Sequence, residues 1–252
     1  MTIQAPYKRT VRPFKVGDYV PPNGLSSYVR TPSYSNDPRP YIRGFRVLQR
    51  DIRSLFEFIH PSDNNLGAYS EHIGILLVRT CFEVETNLTA ILRENCYGGN
   101  PKNWNMRDYR KIEQSHRLSG YEVRLPEWIG EQNTVKPFEK WSSDCGLDWY
   151  TAYNDFKHDR VAHLSDAKFK HLVNAWAGLF ALLGAQYFLD EFSVEKQTIG
   201  FAGALDPGDF WHGIGGYLKV KFPTNWQDAD KYDFLLTEQN FKAENFAVNF
   251  LY

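Results

Sequence analysis

The chain has 252 residues, of which 42% are apolar and 23% charged, with 29 Lys and Arg against 30 Asp and Glu. That composition excludes a disordered chain, and the length allows one large or two small domains. No apolar run approaches the roughly 18 residues of a membrane span, and Met1 to Lys15 has no apolar stretch typical of a secretory signal.

The net charge of −1 hides an asymmetry. Residues 1–53 carry ten basic and three acidic side chains, so the rest of the chain carries −8. Residues 190–252 alone hold ten acidic against five basic. This pattern suggests either an external polyanion or pairing of the N-terminal and C-terminal segments with each other. Cys81, Cys96 and Cys145 are odd in number and widely spaced, which points to free thiols rather than a zinc ribbon or a disulfide framework. These features predict a cytoplasmic protein.

Residues 1–42 hold seven prolines and read as an extended basic arm, because proline removes donors and locks φ. Phe14, Tyr19, Tyr28, Tyr34 and Tyr41 predict that the arm docks onto something. From Arg43 the period becomes helical. Phe45, Leu48, Ile52, Leu55 and Ile59 share one face, closed by His60-Pro61. Arg43, Arg46, Arg50 and Arg53 form a second stripe, a candidate nucleic-acid surface that could equally pair with acidic side chains of the same chain.

A longer helix is predicted from the Ser70 cap to about Asn95. Ile73, Leu76, Leu77, Val84, Leu88 and Ile91 make its main apolar face. Ile75, Val78 and Phe82 make a second, so the helix is central or lies at a subunit interface, and a homodimer is expected. Arg79 and Glu83 are spaced for an i, i+4 surface bridge. Glu85 flanks the main face and needs a partner, with Lys157, His158 or Arg160 as candidates for a structural ion pair.

Residues 97–146 are mixed, with a short polar helix over about 105–117 and an alternating strand over 121–125. Asp148 is placed to cap a helix reaching about Arg160, and Ser165 to cap a long apolar helix over 166–192. Residues 194–252 read as an acidic, loop-rich segment with a strand at 217–222 and an extended or stranded end over 240–252. The expected fold is therefore mainly α: four or five helices bundled over 43–193, with the arm and the partly β C-terminal segment wrapped around them.

The densest polar constellation is Trp149 to His163. On a helix Trp149, Tyr153 and Phe156 bury one edge, while Asn154, Lys157 and His158 converge on another, beside Asp155 and Asp159. A histidine near a cation and a carboxylate can act as a general base, and a neighbouring Arg or Lys can stabilise phosphoryl charge. Metal-independent RNA cleavage through a 2′-hydroxyl needs those groups. A helix-capping and salt-bridge network would use the same residues.

The run Tyr153-Asn154-Asp155-Phe156-Lys157-His158-Asp159-Arg160, followed by a long apolar helix, resembles the HEPN superfamily over residues 43–193. Those proteins are small α-helical bundles common in prokaryotic defence, toxin–antitoxin and RNA-processing systems. The resemblance implies an RNA-directed protein and, where its members are catalytic, a metal-independent endoribonuclease with His158 as base, Lys157 and Arg160 on the phosphate side, and Asn154 and Asp155 orienting. The nuclease members resemble one another in an Arg and a His separated by four to six residues. Here Arg160 and His163 are separated by two, and Arg53 and His60 by six. The non-catalytic members, which serve as dimerisation or binding modules, look the same at this level. No metal-ligand spacing, P-loop, dinucleotide fingerprint or serine-hydrolase elbow occurs, so no metal or nucleotide cofactor is expected.

Overall fold

The computed structural model describes residues 3–19, 27–192, 208–233 and 243–252. The protein is mainly helical, with a small four-stranded antiparallel sheet. Helix α1 runs Arg39–Leu55 and begins four residues earlier than the periodicity predicts. Pro40 lies in its first turn, where the missing N–H has no helical partner to lose. The helix stops at Leu55 in a tight turn, short of the predicted Ile59, whose N–H bonds back to the Leu55 carbonyl at 2.9 Å.

Helix α2, Glu71–Glu94, is the central element. The Ser70 hydroxyl accepts the Ile73 N–H at 3.2 Å, the cap that the sequence predicts. The six residues of its main apolar face are all buried, against α1, α5 and α6. The polar helix expected over 105–117 is divided into α3, Met106–Tyr109, and α4, Glu113–His116, by a 3₁₀ turn. Asn105 and Asp108 form a reciprocal capping box at its start. Arg117, with φ of 49°, ends it.

Helix α5 spans Asp148–His158, and α6 spans Phe169–Tyr187. The sequence places the α6 start at Ser165. Instead, residues 164–166 form a 3₁₀ turn, and the Phe169 and Lys170 N–H groups bond to the Ala68 and Leu66 carbonyls. These tertiary acceptors supply what a side-chain cap would otherwise provide. The helix closes at Phe188 rather than continuing to Phe192, because Phe188 takes a positive φ of 57°.

Strands β1, Glu122–Arg124, β2, Thr134–Val135, β3, Trp211–His212, and β4, Lys219–Lys221, pair in the order β2-β1-β4-β3. The predicted strands at 121–125 and 217–222 thus become direct neighbours, with Val123 opposite Val220 and both side chains buried.

The arm does more than dock. Val11, Phe14, Tyr19, Tyr28 and Tyr34 are buried within the same core as the helices, and Arg9 is fully enclosed. The arm runs beside the C-terminal segment, with bridges between Ile3 and Tyr232, Phe14 and Tyr232, and Tyr7 and Val248. The predicted loop around Gly200, Gly203 and Pro207 lies outside the described residues.

Candidate functional site

The C-terminal end of α5 presents the residues singled out from the sequence. Trp149, Tyr153 and Phe156 are buried as the spacing predicts. Phe156 fits against Gly74 of α2, where any Cβ would lie 2.3 Å from its ring. This close approach fixes the register of α5 on α2 and turns the polar residues outward.

Their tips do not meet in one cleft. Lys157 Nζ donates to the Tyr153 hydroxyl at 3.2 Å. Arg160 pairs with Glu71 at 2.9 Å, an exposed bridge that ties the chain after α5 to the first turn of α2. His158 is exposed, and its ring has no hydrogen-bond or ion-pair partner among the described residues. Asn154 and Asp155 are half-buried. The neighbouring His163, which carries no assigned role in the sequence reading, bonds Asp166 at 2.8 Å. That bond, reinforced by Asp155, Asp166 and Asp159, holds its pKa above the ordinary histidine value.

Glu85 differs from expectation in its partner. Its carboxylate accepts the Tyr150 hydroxyl at 2.6 Å, and the Tyr153 hydroxyl faces the same group. No ion pair joins Glu85 to Lys157, His158 or Arg160 among the described residues. Lys157 reaches the cluster one step removed, through Tyr153. A neutral phenol satisfies the half-buried carboxylate without a second ion being desolvated. Burial, followed by the Glu85 charge, pushes the Tyr150 and Tyr153 hydroxyls well above ordinary phenol values, so both remain protonated donors.

Three of the four arginines of the predicted stripe on α1 are engaged by the chain itself. Arg46 pairs with Glu191, Arg50 with Asp51 at 3.0 Å, and Arg53 with Glu127 at 3.3 Å. The Arg53 guanidinium also lies 4.4 Å from the centre of the Tyr217 ring. Arg43 is exposed and has no such partner among the described residues. The predicted Arg79–Glu83 bridge does not form, because Arg79 turns across to Asp51 of α1 at 2.8 Å.

A groove of about 700 Å³ opens between α1 and α2, lined by Arg43, Gly44, Val47, Val78, Phe82 and Glu83 among others. Val78 and Phe82 of the second apolar stripe of α2 form part of its wall. Ile75 and Phe82 are 49% and 62% exposed, which is unusual for large apolar side chains on a central helix. A smaller cleft of about 220 Å³ lies between the starts of α5 and α6, lined by Lys136, Lys140, Asp148, Lys170 and His171. There burial and the adjacent Lys170 bring the His171 pKa down to about 4. Sequence reasoning missed this cleft, because its residues come from three segments, 136–140, 147–149 and 170–174, with no motif linking them. Among the described residues no group of His, Cys, Asp and Glu is arranged to hold a metal ion, and no helix is long and apolar enough to cross a membrane.

Comparison with family models, with curated proteins and with solved structures finds no match for the chain.

Proposed function

We propose that the chain is a HEPN-like, non-catalytic interaction module that works as a homodimer through the α1–α2 face. The observation that carries this reading is the second stripe of α2 beside the large groove, with Ile75 and Phe82 exposed and Val78 half-buried between them. Soluble monomers rarely expose a contiguous apolar strip of this kind on a core helix, and association removes it from water. The polar residues of α5 support the same reading. Lys157 and Arg160 are spent on Tyr153 and Glu71, which organises the α5–α2 contact rather than a cleft. Sedimentation velocity of the full chain tests the proposal. A dimer at micromolar concentration is expected, converted to a monomer by Phe82→Glu, and a wild-type monomer throughout would end it.

One observation favours a second reading, an RNA-directed, metal-independent endoribonuclease of a defence or toxin system. His158 is exposed, unpaired and flanked by Lys157, Asp155 and Asp159, the neighbourhood a general base needs. Its test is RNA cleavage in chelator, wild type against His158→Ala. Activity that depends on His158 would replace the non-catalytic reading, and an absence of cleavage by well-folded wild type removes the nuclease.

A further inference from the structure

Two charges at the α1–α2 groove lack the partners that their neighbours have. On the rim, Arg39 is bonded to Asp37 at 2.7 Å and Arg79 to Asp51 at 2.8 Å. That leaves Arg43 and Glu83, whose side chains make no hydrogen bond or ion pair among the described residues, although the Glu83 main-chain carbonyl accepts from Asn87. Glu83 is the more telling of the two. Its carboxylate lies against the α1 backbone at Gly44, where a Cβ would sit 3.0 Å from the carboxylate atoms, and Phe82 and Val47 line the same groove. Burial pushes its pKa upward, and the nearby Arg79 charge, committed to Asp51, opposes this only in part.

The groove thus offers an apolar wall, one unpaired anion held low against the backbone and one unpaired cation beside it. A ligand of one charge sign would match one of these charges and leave the other. A second copy of the chain matches both, because a two-fold contact presents every group of the face to its own mate. The other rim cations have partners within each copy, Arg39 in Asp37 and Arg79 in an Asp51 that it shares with Arg50.

We propose that two copies of this chain join through the α1–α2 groove with reciprocal ion pairs, the Arg43 guanidinium of each reaching the Glu83 carboxylate of the other across the Phe82 and Val78 wall. The proposal rests on the homodimer reading above and specifies its chemistry. A guanidinium suits the position because its flat, weakly hydrated head tolerates an apolar surround and can bind a carboxylate through two N–H groups. Gly44 suits it as well, since a side chain there would displace the carboxylate.

Charge reversal in the full-length protein, read by sedimentation velocity across a concentration series, separates this pairing from other ways of dimerising. Arg43→Glu and Glu83→Arg, each alone, are expected to raise the dimer dissociation constant by roughly 30-fold or more, since each breaks both reciprocal pairs. The double variant R43E/E83R restores the dimer. So does an equimolar mixture of the two single variants, in which both pairs carry opposite charges again. A dimer that dissociates with Phe82→Glu but ignores the charge reversals keeps the homodimer and overturns the ion pairs. Single variants that weaken the dimer without rescue in the double variant or the mixture also overturn the pairs. A wild-type chain that stays monomeric removes both proposals together. Circular dichroism of each variant confirms that loss of dimer is not loss of fold.

Discussion

At the scale of single residues, the deepest electrostatic commitment is Arg9. Its side chain is fully buried, donates to Gln186 Oε1 at 2.8 Å and Glu94 Oε1 at 2.6 Å, and lies against the rings of Tyr41 and Tyr187. Desolvation works against its charge, but the surrounding Tyr187, Glu94 and Tyr41 outweigh it, so the guanidinium stays ionised. Arg9→Ala strands the Glu94 carboxylate in the interior and is expected to cost about 3–5 kcal/mol, measured by urea denaturation. His116 is the second such residue. Its Nε2–H donates to the Arg9 carbonyl at 2.8 Å, its Nδ1 stands 2.6 Å from Ser115 Oγ, and burial brings its pKa from 6.5 to about 3. The unfolded chain therefore binds a proton that the folded chain refuses. Stability should fall as pH drops below 6.5, by up to about 1.4 kcal/mol per pH unit, until the folded pKa near 3 is reached. Denaturation curves from pH 7 to pH 4 check this, with His116→Gln expected to have the shallower slope. Neither role was legible in the sequence. Arg9 reads there as one more cation of a basic arm, and only the folded chain surrounds it with Gln186 and Glu94.

Elements differ in how much of their energy comes from local signals. Helix α2 starts where its Ser70 cap says it should, and its heptad-like apolar positions are those buried. Helix α6 starts where another loop offers carbonyls, which no local signal encodes. The contact between α2 and α5 has the same non-local origin. Gly74 admits the Phe156 ring so closely that a methyl group would overlap it, so Gly74→Ala is expected to destabilise the protein by about 1–3 kcal/mol, despite alanine's better helix propensity. Arg160→Ala removes a bridge whose two partners are 59% and 54% exposed and should leave the thermal midpoint nearly unchanged. Thermal denaturation of both variants compares packing with surface pairing at the same helix junction. An Arg160 variant as damaging as the Gly74 variant would contradict this ordering.

For the whole molecule, the charge asymmetry finds its explanation inside the chain. Lys15 pairs with Asp233 at 3.1 Å, Arg30 with Asp190, and Arg12 donates to the Asp230 and Ser115 carbonyls. The C-terminal residues complete this arrangement. The Val248 N–H bonds to the Pro6 carbonyl, the Lys8 N–H to the Val248 carbonyl, the Phe250 N–H to Asn95 Oδ1, and Tyr252 reaches Ser115. Removing residues 246–252 opens the enclosure of Arg12 and His116. The truncated chain is expected to melt at least about 10 °C lower, with the loss visible by calorimetry. A tail that could be removed without changing the midpoint would show that this pairing is incidental.

The division between what was readable and what was not follows from the range of the interactions. Periodicity, capping residues and proline placement are local, so the sequence by itself determined a mainly helical protein, the position of α2, the buried face of α5 and the existence of strands near 122 and 220. The second apolar stripe of α2 was also readable, because its residues lie three and four apart. Partner choice is not local. That Glu85 binds Tyr150, that Arg79 leaves Glu83 for Asp51, and that an arm rich in proline becomes part of the core were decided by which groups the tertiary structure brought within hydrogen-bonding distance. A charge in a sequence states a need for a partner, and only the folded chain decides which group meets it.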